Sequence, residues 1–120
     1  MENRNLEEYY ATEGIPESQM ERRRLELQFI FEEILGSKNV YYQPPENVKL
    51  KYPAIVYSRD RIINRFSNNG VYIQSVSYQV KVIDEDPDSI YVEKISKLPY
   101  SSFERHYTSD NLNHDVFNIY

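Results

Sequence analysis

From Tyr72 to Ile83 the chain alternates, with Val76, Tyr78, Val80 and Val82 on one side and Ser75, Ser77, Gln79 and Lys81 on the other. A period of two is that of a β-strand with one wet face. A strand this long with an apolar face is not stable by itself, so it requires paired neighbours and a cover. Just upstream, Ser67-Asn68-Asn69-Gly70 ends in an Asn-Gly pair. That pair supplies the positive φ angles of a tight turn and predicts that the apolar segments on either side are antiparallel neighbours. The earlier segment is Tyr52-Pro53-Ala54-Ile55-Val56-Tyr57-Ser58. It is nearly continuously apolar with its proline at the start, which reads as a central strand covered on both faces. Between the two, Arg59 to Gly70 reads as a twelve-residue connector carrying Arg59, Arg61, Arg65 and the apolar trio Ile62, Ile63 and Phe66.

The cover comes from a helix predicted over Pro16 to Leu35, with proline tolerated in the first turn and Gly36 as a left-handed cap. Met20, Leu27, Ile30, Phe31 and Ile34 form its core stripe, while Leu25 and Phe29 lie off it. Such a helix is either sunk deeply in its own domain or also touches a second subunit. Val40-Tyr41-Tyr42 is a short strand ended by Gln43-Pro44-Pro45, with an extended loop through Lys51. Asp86-Pro87-Asp88-Ser89 opens a second helix, with an aspartate as cap and Pro87 at the first helical position, and Pro99 stops it. Final strands fall near Ser102–Thr108 and Val116–Tyr120, joined through Ser109-Asp110-Asn111. The expected fold is α+β, two helices packed on a mostly antiparallel sheet in the order α-β-β-β-α-β-β. Residues 1–15 read as an amino-terminal arm, disordered or docked on a neighbour, and 16–120 as a single domain. Leu6, Tyr9 and Tyr10 would make a short amphipathic turn if a partner surface were supplied.

At 120 residues the chain can hold one core without staples. It has no cysteine, which rules out a disulfide framework, a thiolate metal site and a thiol nucleophile. No segment reads as a signal peptide or membrane span, so synthesis in the cytoplasm is expected. A net charge of −5 argues against a protein that works by neutralising phosphates. Twelve tyrosines and five phenylalanines without tryptophan suit strand faces and subunit interfaces alike.

Few constellations suggest chemistry. Asp84, Asp86 and Asp88 have the opening spacing of a calcium loop, but its sixth place lacks glycine and Ile95 stands where the bidentate glutamate belongs. A strand end followed by a helix cap is the better account. His106 and His114 with Asp110 and Asp115 could be drawn as a metal or acid-base cluster, yet the segment is rich in residues that bond their own backbone in turns. His106 is expected on the opposite strand face from Phe103, Arg105 and Tyr107. Phosphate-loop and nucleophile-elbow motifs are absent, and Arg22-Arg23-Arg24 is matched by Glu17, Glu21 and Glu26. No catalytic residue, metal or cofactor is expected.

Three stretches in order, Ile34 to Pro45, Lys51 to Tyr57, and the carboxyl-terminal series Ile83 to Ser89, Leu98-Pro99-Tyr100-Ser101-Ser102-Phe103 and Asp110 to Tyr120, resemble the tail-completion or tail-terminator proteins of long-tailed bacteriophages. The resemblance covers most of the chain after residue 15. It implies an α+β structural protein that forms a ring, usually a hexamer, on the end of the tail tube, stops tube polymerisation and joins the tail to the stopper or head-completion protein of the neck. It also implies a virion location at the tail-neck junction after assembly in the host cytoplasm, with DNA passing through the ring without sequence-specific binding, and no active site. A different neck or head-tail adaptor, or a small cytoplasmic binding domain or hydrolase, are the alternatives. For a ring interface the candidates are Arg59, Arg61, Ile62, Ile63, Arg65 and Phe66 on one side and Asp84, Asp86 and Asp88 on the other, where opposite charges would set register.

Overall fold

A computed structural model describes residues 5–67, Gly70 and residues 72–120. The elements run α1 (Leu6–Glu13), α2 (Gln19–Leu35), β1 (Val40–Tyr42), β2 (Ala54–Phe66), β3 (Tyr72–Asp84), α3 (Ile90–Ser96), β4 (Ser101–Ser109) and β5 (Leu112–Ile119). The fold is α+β with three helices and one five-stranded mixed sheet in the order β1-β2-β3-β5-β4. β1 runs parallel to β2, and every other pairing is antiparallel.

α2 begins where a side chain can satisfy its first turn. Ser18 accepts from the Glu21 amide at 3.0 Å, and Gly36 ends the helix at φ 72 with its amide bonded to the Glu32 carbonyl. The cap therefore sits at Ser18, two residues after the expected proline start. α3 likewise starts later than the aspartates suggested, because Ser89 takes the cap position and accepts from the Tyr91 amide at 3.3 Å. Asp84 and Asp86 instead bond the amides of Asp86 and Asp88, at 3.1 and 2.9 Å, and shape the loop before the helix.

Leu27, Phe31 and Leu35 of α2 and Ile95 of α3 pack with Ile55, Tyr57, Tyr78, Val80, Val82, Phe117 and Ile119 of the sheet in one buried cluster. The register accounts for that face: Ile55 pairs with Val82, Tyr57 with Val80, and Val80 in turn with Phe117. Val56, Ser58, Gln79, Lys81 and Asn118 are only half-buried, so the expectation that β2 is covered on both faces is corrected. One face is the core and the other is mostly wet.

The amino-terminal arm is helical and docks on its own chain. Asn5 caps α1 by accepting from the Glu8 amide at 2.8 Å. Tyr9 is buried, its ring 5.3 Å from that of Phe29 and its hydroxyl donating to Glu32 at 3.1 Å. Glu32 also accepts from Gln28 at 3.0 Å, and Gln28 in turn accepts from the Tyr57 hydroxyl at 2.6 Å. This polar chain ties α1 through α2 to the sheet. Phe29, which lay off the α2 core stripe, is thereby covered from within the chain.

The segment read as a connector is the largest correction. Residues 59–66 continue β2, and the ladder to β3 holds from Ala54↔Ile83 to Phe66↔Tyr72. The register slips between Arg59 and Arg61, leaving Asp60 as a bulge. That extra residue shifts the alternation, so the face that carries Tyr57 opposite Val80 is continued by Ile62 opposite Val76, while Arg61 and Ile63 take the other face. A second bulge between Phe103 and Arg105 does the same in β4. Phe103 pairs with Phe117 and His106 with Asp115, so these two share the face from which Arg105 and Tyr107 are excluded, contrary to simple alternation. The Asn118 amide spans the two bulged carboxylates, donating to Asp60 at 3.1 Å and Glu104 at 3.3 Å.

Candidate assembly surface

β1 pairs with β2 only as far as Tyr57, and β5 pairs with β3 only as far as Tyr78. Beyond those points β2 and β3 continue as a two-stranded arm. The arm carries the predicted residues Arg59, Arg61, Ile62, Ile63, Arg65 and Phe66 on one strand, with its Asn68-Asn69 turn outside the described residues. Phe66 is 80% exposed, Ile73 55% and Ile62 40%, while Ile63 is half-buried. Among the described residues no carboxylate makes an ion pair with Arg59, Arg61 or Arg65. The apolar groups are therefore rimmed by arginines that have no ion-pair partner among the described residues.

Asp84, Asp86 and Asp88 lie at the other end of the same ladder, since Ala54 pairs with Ile83 there. A strand of 13 residues spans roughly 40 Å at about 3.3 Å per residue, and the molecule measures 52 Å along its longest axis. The acidic corner and the basic arm are thus at opposite ends and do not meet within one chain. Asp86 and Asp88 are exposed and without a cationic partner among the described residues. Nor do the described residues hold any group of three or more His, Asp or Glu side chains placed to bind a metal.

The histidine constellation separates. His106 Nδ1 lies 2.9 Å from Asp115 Oδ1 across β4 and β5, a directly opposed pair that buries the carboxylate. His114 is stacked on Tyr107 at 4.6 Å on the other face, and its Nδ1 lies 3.1 Å from the Leu112 carbonyl. Asp110 is a turn residue with φ 54, followed by Asn111 at 63, so the two close the hairpin. The geometry is that of cross-strand ties, with the two rings directed to different faces.

Sequence reasoning missed a groove of about 590 Å³ beside the arm, lined among others by Met20, Arg23, Arg65, Ile73, Val76, Tyr100 and Tyr120. Its walls come from five separate elements or their ends, so no contiguous motif announces it. A second cavity of about 320 Å³ at the root of the arm brings Arg24 and Arg59 together with Tyr42 and Tyr78. Arg24 lies 5.0 Å over the Tyr42 ring. No helix of the described residues is long and apolar enough to cross a membrane. Neither a protein-family model, nor a curated protein, nor a solved structure matches the chain.

Proposed function

We propose that this protein is a ring-forming structural component of a phage tail-neck junction, a tail terminator that caps the tube and joins it to the head connector. The observation that supports the reading best is the arm. A two-stranded ribbon standing clear of its sheet is marginal in water, and exposed apolar groups ringed by charge mark contact surfaces. A closed ring needs two different patches on each subunit that meet head to tail. The basic arm and the acidic Asp84–Asp88 corner are such a pair, and their placement at opposite ends of the β2–β3 ladder suits rotation from one subunit to the next. In this reading the ring, a hexamer by the resemblance of the sequence, stacks on the major tail tube protein and presents its other face to the stopper protein.

The test is replacement of Ile62, Ile63 and Phe66 together by serine. All three lie beyond Tyr57, where β2 has left its β1 neighbour, so the domain is expected to stay folded. Particles carrying the variant are expected to have tails of uncontrolled length or unjoined heads. Normal tails and normal joining, with the variant shown by circular dichroism to be folded, would refute the arm as the subunit contact.

A further inference from the structure

The two edges of the arm are not alike. The β2 edge is guarded: it carries Arg59, Asp60, Arg61 and Arg65, and the Asp60 bulge interrupts it. Charge and bulges are the devices that keep a strand edge from pairing. The β3 edge has neither. From Ile73 to Ser77 it holds no charged residue, no proline and no register slip. On the side where β5 pairs with β3 up to Tyr78, no strand among the described residues continues past that point. Gln74 is engaged across the hairpin, its amide 3.2 Å from Asn64, which holds the ribbon in register.

The groove of about 590 Å³ runs along this same edge. Met20, Ile73, Val76, Tyr100 and Tyr120 give it an apolar lining, and its polar rim holds Arg23 and Arg65 with no carboxylate side chain. Arg23 is committed to Glu26 at 3.8 Å and to the Tyr120 carbonyl at 2.8 Å. Arg65 has no carboxylate partner among the described residues.

We propose that the β3 edge from Ile73 to Val76 accepts an extended strand of a partner protein, one that alternates apolar side chains with a carboxylate placed to meet Arg65. Only a polypeptide backbone can continue a ladder of amide and carbonyl groups, so the occupant is a strand rather than a small molecule. The apolar lining selects side chains on alternate residues, and the Arg65 guanidinium selects the acid. A third strand also supplies what the two-stranded arm lacks. This binding site does not depend on the ring reading, which places the subunit contact on Ile62, Ile63 and Phe66 and shares only the charge of Arg65 with it.

The test uses the full chain, isotope-labelled, titrated with the synthetic peptide acetyl-Thr-Val-Glu-Val-Thr-Val-amide. Alternate amides from Ile73 to Val76 are expected to shift and, at saturation, to exchange with solvent at least about tenfold more slowly. The same peptide N-methylated at alternate residues, unable to complete the ladder, should bind at least about tenfold more weakly. Arg65→Gln should weaken the glutamate peptide about two- to fourfold and leave a glutamine version unchanged. Equal binding of the N-methylated peptide would overturn strand addition, and equal binding of the glutamate peptide to Arg65→Gln would overturn the role of charge. No response of these amides up to about 5 mM peptide would overturn the site itself. Slowing of the same amides with protein concentration alone would show a second copy of this chain as the occupant and overturn the assignment to a partner protein.

Discussion

Replacing Tyr9 by phenylalanine isolates the hydroxyl that fastens α1 to the body. The ring stays, so its contact with Phe29 at 5.3 Å is kept, and the 3.1 Å bond to Glu32 is lost. A hydrogen bond to a charged group contributes about 1.5–3 kcal/mol. Glu32 keeps the Gln28 amide at 3.0 Å, which prevents the carboxylate from being stranded and puts the loss at the lower end. The expected change is about 1.5 kcal/mol, or roughly 6 °C in Tm at about 4 °C per kcal/mol for a domain of this size. Tyr9→Ala removes a buried ring as well and should cost about 3–5 kcal/mol. Urea denaturation of wild type, Tyr9→Phe, Glu32→Gln and the double variant measures the coupling, expected at about 1 kcal/mol or more because the two groups touch. A coupling near zero, with Tyr9→Ala still costly, would show that α1 is held by packing alone. A negligible loss for both Tyr9 variants would refute the claim that α1 folds in one unit with the sheet.

Burial pushes the Tyr9 hydroxyl above its ordinary value of 10.0, with the Glu32 charge adding to it, and burial likewise raises Tyr57 although Arg24 offsets part of the effect. The unfolded chain releases these protons near pH 10 while the folded chain retains them, so stability is fully present below about pH 10 and falls as pH rises above it. The urea midpoint should drop progressively as pH rises above about 10, and Tyr9→Phe should flatten that drop; an unchanged midpoint would refute the linkage. Removal of residues 1–13 should leave a single cooperative thermal transition at lower temperature, because the cluster from Leu27 to Ile119 contains no α1 residue. Loss of the transition would make α1 part of the core.

What the sequence revealed and what it hid have physical reasons. α2 was legible because Gly36 and the 3.6-residue stripe through Leu27, Phe31 and Ile34 act locally. The β3 face was legible for the same reason, as Tyr78, Val80 and Val82 keep strict alternation. β2 beyond Tyr57 was not, because the Asp60 bulge inserts one residue and scrambles the period, so a strand looked like a charged connector. The face of His106 was misread through the identical effect at the β4 bulge. α1 is eight residues long, too short to hold itself, and its periodicity was correspondingly weak. Two signals pointed to it all the same: the spacing of Leu6, Tyr9 and Tyr10, and Phe29 lying off the α2 stripe. Of the candidate surface, the residue types on the arm were legible. Their separation from the acidic corner along one ladder was not, since that depends on pairing between strands distant in sequence.

The place of β5 constrains when the domain can be completed. It is made last among the elements yet lies inside the sheet, between β3 and β4, and supplies Val116, Phe117 and Ile119 to the interior. A nascent chain on the ribosome that has already emerged through α3 still lacks the strand that joins the two halves of its sheet. α2 and the β2–β3 ribbon must wait, with Val80 and Val82 missing their partners Phe117 and Asp115. The final folding step therefore waits until β5 has emerged from the exit tunnel, and a chain stalled before Leu112 should be an early substrate for chaperones and proteases.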